Sequence, residues 1–156
     1  MTITNTFRIF FCSDDVYINF MSQFRYSICE PLIPDVIEKG NIDAATIISF
    51  FENYNWPYYL EQEQSGKKAY YSPSLEFENK SNKNGLSFSA VGKPDKFEFY
   101  IFYKRPKIVK KWFGLSTGLD NNFLSELTGK TKQEAIRYLQ ALIDNKSMFL
   151  EGEFVK

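Results

Sequence analysis

Histidine is absent from this chain of 156 residues. That absence excludes Ser-His-Asp and Cys-His mechanisms, His-ligated zinc and the commonest acid–base group near neutral pH. Carboxylate, lysine and tyrosine chemistry stay open. Cysteine is scarce: Cys12 and Cys29 are the two, and they form no C-x-x-C pair. Both sit in apolar surroundings and read as small buried hydrophobes, with a disulfide between them left open. Long apolar runs are missing. No window approaches the ~18 apolar residues of a membrane span. The run at 7–12 is too short for a signal peptide, and Asp14 and Asp15 follow it at once. The expectation is a cytoplasmic protein in a reducing compartment, with no membrane partner.

Net charge is missing too, since nineteen basic side chains cancel nineteen acidic ones. The distribution is uneven. Residues 1–63 carry three basic and nine acidic groups, a balance of −6, and residues 64–156 carry sixteen and ten, a balance of +6. If folding interleaves the halves, the charges cancel locally. If it does not, the molecule has an acidic face and a basic face, each able to steer a charged partner.

Aromatics are plentiful at 18% of residues. Low-GC codon usage explains such a content, and so does a sticky binding face, because Tyr and Trp are favoured at interfaces. The clearest pattern is at 96–103, KFEFYIFY. Phe97, Phe99, Ile101 and Tyr103 fall on one face of an extended strand, and a mixed set falls on the other. Such a strand calls for sheet neighbours on both sides and a helix over its apolar face.

The remaining elements follow from periodicity and turn residues. Residues 6–12 suit an edge strand, 14–28 an amphipathic helix, 35–39 a helical turn ended by Gly40, and 44–54 a helix capped by Asp43. Trp56-Pro57 breaks that helix, and 58–64 and 67–71 flank a hairpin turn at Ser65-Gly66. Leu75 and Phe77, then Leu86, Phe88 and Ala90, mark strands around a polar loop at 79–84. Gly92-Lys93-Pro94-Asp95 is a turn into the main strand. Arg105-Pro106 ends that strand, and 107–113 is a last one. Asp120 caps a short helix at 121–127. Thr131 and Glu134 form a capping box for a helix at 132–145, and the tail at 148–155 adds a strand. The fold class expected is α+β in one domain: N-terminal helices, a central antiparallel meander, and a C-terminal helix packed on the sheet.

No catalytic motif is complete. Residues 114–118 match G-x-S-x-G, but that motif needs a histidine base. Gly129-Lys130-Thr131 copies the end of a P-loop, yet Leu124 stands where its first glycine belongs. A capped helix start explains it, and Lys130 and Lys132 with free N–H groups remain a candidate phosphate cradle. Glu61 with Glu63, and Glu76 with Glu78, place paired carboxylates on one strand face. Such pairs serve hydrolysis or metal binding, or are a solvated face. No metal site, cofactor, small-molecule substrate or enzymatic activity is expected.

Two binding surfaces stand out. Lys104, Arg105, Lys107, Lys110 and Lys111 cluster with Trp112, a pattern that suits single-stranded nucleic acid or protects an edge strand. Glu52, Glu61 and Glu63 lie among Tyr54, Trp56, Tyr58 and Tyr59. There carboxylates can steer a basic protein while Tyr54 and Tyr59 anchor it. Trp56 and Tyr58 read equally well as core.

In size, in its lack of a catalytic constellation and in the segment FFENYNWPYYLEQEQ at 50–64, the chain resembles the bacterial immunity proteins of contact-dependent growth inhibition and related systems. These share no motif that would assign residues. The resemblance implies a non-enzymatic protein that binds one cognate toxin domain, commonly a nuclease, and occludes its active site. Some such toxins also engage translation factors, which implies a ternary assembly as a further partner state. The alternative reading is a nucleic-acid-binding module built on 104–112.

Overall fold

The alternation at 96–103 does form a strand, and a longer one than expected. A computed structural model describes residues 24–154, the side chains of Lys111 and Trp112 excepted. Strand β5 runs Lys96–Lys111 between β4 (Gly85–Lys93) and β6 (Ser116–Lys130). Phe99, Ile101 and Tyr103 are buried on one face and lie opposite Ala90, Phe88 and Leu86 of β4. Strand β3 (Ser74–Asn79) continues the meander, and β1 (Phe24–Cys29) pairs with both β3 and β2 (Ile37–Ile42). The sheet order is β2-β1-β3-β4-β5-β6, with every neighbouring pair antiparallel.

Among the described residues four α-helices cover one face of this sheet. They are α1 (Ala44–Asn53), α2 (Trp56–Glu63), α3 (Lys132–Ile143) and α4 (Ser147–Phe154). Ile47 and Phe51 recur at four-residue spacing, so α1 lays one stripe on the sheet. Phe51 meets Phe88 edge-on and Phe99 at a tilt, Trp56 meets Phe99, and Phe154 meets Tyr103. Each such side chain contributes about 1.5–3 kcal/mol on burial. The fold is therefore α+β, with its C-terminal helices on the sheet. The opposite face carries Arg25, Glu76, Glu78, Tyr100, Phe102 and Lys104, which alternate with the core positions.

Several elements hold as read. The turn at 92–95 joins β4 to β5, and Gly92 sits at φ 130, where an added Cβ would lie 2.6 Å from the Lys96 carbonyl. Thr131 and Glu134 form the capping box of α3 in both directions. The loop at 79–84 is closed by its own asparagines: Asn79 Oδ1 accepts from Ser81 N, and Asn82 Oδ1 from Asn84 N.

Other elements differ. Residues 24–28 are strand, not the end of a helix, while the rest of 14–28 and the strand at 6–12 lie outside the described residues. The turn expected at 35–39 is strand β2, in which Gly40 takes φ 86 where the pairing with β1 shifts register. The hairpin at 58–71 is replaced by α2 and an irregular segment. Asn55 caps α2 by accepting from Tyr58 N, and Pro57 occupies its first turn. Pro106 does not end β5, because β6 bulges opposite it between Asp120 and Phe123. The helix expected at 121–127 is part of β6, and Asp120 Oδ1 accepts from Asn122 N inside the bulge. The tail is helical as α4, not a strand.

Candidate functional site

Tyr54 ends α1 and Tyr59 lies in the first turns of α2, so the short link at 54–55 folds one ring onto the other. The rings stack at 4.9 Å with 6° between their planes. With Ile42, Thr46, Ser49, Phe50, Asn53 and Asn55 they line an open cleft of about 490 Å³. No lining side chain is charged. The Tyr59 hydroxyl donates to Glu30 Oε1 at 3.4 Å. Among the described residues the buried Tyr54 hydroxyl has no hydrogen-bond partner of good geometry. Burial first, then the Tyr59 phenol beside it, pushes the Tyr54 pKa far up, so the group stays a neutral donor. A buried polar group left without a good partner costs about 1–3 kcal/mol.

The two expected anchors thus share one site, but the three glutamates do not join them in it. Glu61 stands two residues after Tyr59 on a helix, roughly 200° round the axis and away from the cleft. Glu52 has the same relation to Phe50. Glu63 lies on the Tyr59 side, but its Oε1 accepts from Ser72 Oγ at 2.8 Å. Glu61 and Glu63 were expected on a strand; the capped helix α2 overturns that. Even so, between Gly40 and Gly66 the chain carries Asp43, Glu52, Glu61 and Glu63 and no Lys or Arg. Among the described residues none of these four forms an ion pair. The nearest cation contact is Lys132 Nζ, which donates to the Glu52 carbonyl at 2.8 Å. The helices around the cleft are therefore an acidic surface with a neutral aromatic centre. Of the aromatics nearby, Trp56 is core, its indole donating to the Phe51 carbonyl, whereas Tyr58 is 49% exposed.

The basic cluster is dispersed by its own partners. Lys104 reaches Glu76 at 2.6 Å and Glu78 at 3.3 Å. Arg105 is buried and held by both Glu151 oxygens, the Tyr103 carbonyl and Ser125 Oγ, with its plane against the Tyr103 and Phe123 rings. Lys107 shares Glu151 at 3.0 Å. Lys110 remains exposed near the β5–β6 turn. Nor do these residues protect an edge, since β5 is interior, lying between β4 and β6.

Glu76 and Glu78 do share a face, as read. The structure adds Arg25 and Glu38, and with Lys104 they line a small polar pocket of about 190 Å³. Arg25 pairs with Glu78 at 3.0 Å, so each carboxylate has a cation beside it. Arg25 was missed because its segment read as helix. Among the described residues no group of three or more carboxylates or thiols could hold a metal ion. The candidate phosphate cradle is filled: Glu134 caps the Thr131 N–H and pairs with Lys130, and Lys132 is turned to Glu52. No described helix is long and apolar enough to cross a membrane.

Comparison with family models, with curated proteins and with solved structures gave no match.

Proposed function

We propose that this chain is a protein-binding inhibitor of the toxin-immunity kind, and that the cleft between α1 and α2 is its docking centre. One observation carries the reading. Tyr54 and Tyr59 are stacked in an open, uncharged cleft on helices that bear only carboxylates. Stacked tyrosines offer a large, rigid contact area at little entropic cost, the usual make-up of an interface hot spot. The surrounding carboxylates act at a distance: they raise the encounter rate of a basic partner without having to touch it. A nuclease domain presents a positive cleft to phosphates, and is the partner class this surface fits. The partner contributes apolar or aromatic side chains to the cleft. A translation factor joins the assembly only if the toxin itself recruits one.

The test is capture from the native host followed by kinetics with the captured partner. Tyr54→Ala and Tyr59→Ala should each weaken binding by about 2 kcal/mol or more, mainly through faster dissociation. Charge reversal at Glu52 and Glu61 should slow association and leave dissociation nearly unchanged. A partner that binds both tyrosine variants with native affinity would refute the site. Capture of nucleic acid alone, released by salt, would refute the function.

A further inference from the structure

Among the described residues β2 and β6 are the two edges of the sheet, and they are built differently. β2 is six residues long, carries Glu38 and Lys39, and is bent at Gly40. These are the usual guards against pairing with another chain. β6 is fifteen residues long, roughly 50 Å. Between its bulges it presents Phe123-Leu124-Ser125-Glu126-Leu127, with one charge. Its open face carries exposed leucines beside Glu126: Leu124 is 55% exposed and Leu119 58%, and Leu119 lies opposite Ile108, itself 72% exposed. Two bulges, at 121–122 and 128–129, interrupt this edge, and the regular run between them, with Leu124 exposed, is the template for a further strand.

We infer that β6 pairs antiparallel with β6 of a second copy about a two-fold axis at Ser125, joining the two sheets into one. The sequence suits this register. Phe123 lies opposite Leu127 of the second copy, and Leu124 opposite its Glu126. The two Leu124 side chains are diagonal neighbours on the open face, and no like charges face each other. Asp120 of each copy falls toward Lys130 of the other, giving opposite charges at both ends. In this register residues 120–130 overlap, a strip roughly 36 Å long and one sheet thick that covers about 700 Å² over both copies, the size of a weak association seen at high concentration. The pairing is isologous and closes at two copies. It leaves the α1–α2 cleft free and does not depend on the function proposed for it.

Sedimentation equilibrium on the full chain, up to several hundred micromolar, should show the weight-average mass rising toward twice that of the monomer. Hydrogen exchange at 123–127 should slow over the same concentrations. Leu124→Glu sets two carboxylates against each other across the axis and should give a monomer throughout. Leu124→Lys instead faces Glu126 and should keep the dimer. Leu124 is more than half exposed, so both variants should retain the circular dichroism of the parent. A parent that stays monomeric, a Leu124→Glu variant that still dimerises, or equal loss in both variants would overturn the proposal.

Discussion

Arg105 shows how much one side chain can be asked to do. It is 2% exposed, yet it carries a full charge and satisfies it with Glu151, the Tyr103 carbonyl and Ser125. It ties α4 to β5 and β6 at once. Arg105 first, and Lys107 after it, hold the Glu151 carboxyl below its ordinary value of 4.5. A carboxyl whose pKa is lower in the folded state stabilises the fold above its unfolded pKa. That stability is lost as pH falls through the folded value. Acid unfolding should therefore set in below about pH 4.5, and Glu151→Gln should flatten that part of the profile. At neutral pH the same substitution should cost about 1–2 kcal/mol, less than for a fully buried pair because Glu151 is a third exposed. Urea titrations of both proteins from pH 3 to 7 check this; parallel profiles would show that Glu151 does not govern the acid limb. In the sequence Arg105 reads as one of five clustered cations. Nothing local marks it as buried, since its partners stand 20 and 46 residues away.

At the scale of elements, legibility followed local signal. The 96–103 strand, the turn at Gly92 and the capping box at Thr131 were readable because each is decided by residues within a few positions. β2 was not, because an edge strand of sequence IEKGNI has no alternation to show. β6 was misread as helix: Asp120-Asn121-Asn122 looks like a cap and is a bulge. The start of α2 left a usable signal, an asparagine cap with proline just inside the helix, which was read only as a break. Of the candidate site, the two tyrosines were legible from their neighbourhood. The glutamates were right in charge and wrong in placement, because a strand and a helix send residues two apart in opposite directions. The far end of the β5–β6 hairpin belongs to no core. Phe113 there is fully exposed at φ 55. Phe113→Asp should change stability by less than about 0.5 kcal/mol in thermal melts. A larger loss would mean that the tip packs on something.

Across the whole molecule, the charge asymmetry of the sequence survives folding in part. Lys104, Arg105 and Lys107 are matched by Glu76, Glu78 and Glu151, all from their own half of the chain. They therefore do not neutralise the carboxylates of α1 and α2. Those helices sit toward the Lys96 end of β5, where Gln64 Nε2 donates to the Gly92 carbonyl, and Lys110 lies at the other end. From Phe99 to Lys110 is roughly 35 Å of strand, several Debye lengths at physiological salt. A basic partner should therefore meet the acidic end as a separate field. Its association rate should fall about tenfold or more between low and physiological salt while dissociation barely moves. Stopped-flow measurements at several ionic strengths decide it; a flat association rate would mean that the carboxylates play no steering part.

The strand order carries a consequence for the time course of folding. From β4 onward each strand pairs with the one made just before it, so the meander closes through short loops. β1 is different: it pairs with β2 nearby, but also with β3, Phe24 lying opposite Asn79 across the whole α1–α2 crossover. Loop closure grows costlier with length, and pairings distant in sequence form late. The cleft is carried on that crossover. It is therefore assembled when β1 docks on β3, and a chain still waiting for that step has a sheet but no cleft.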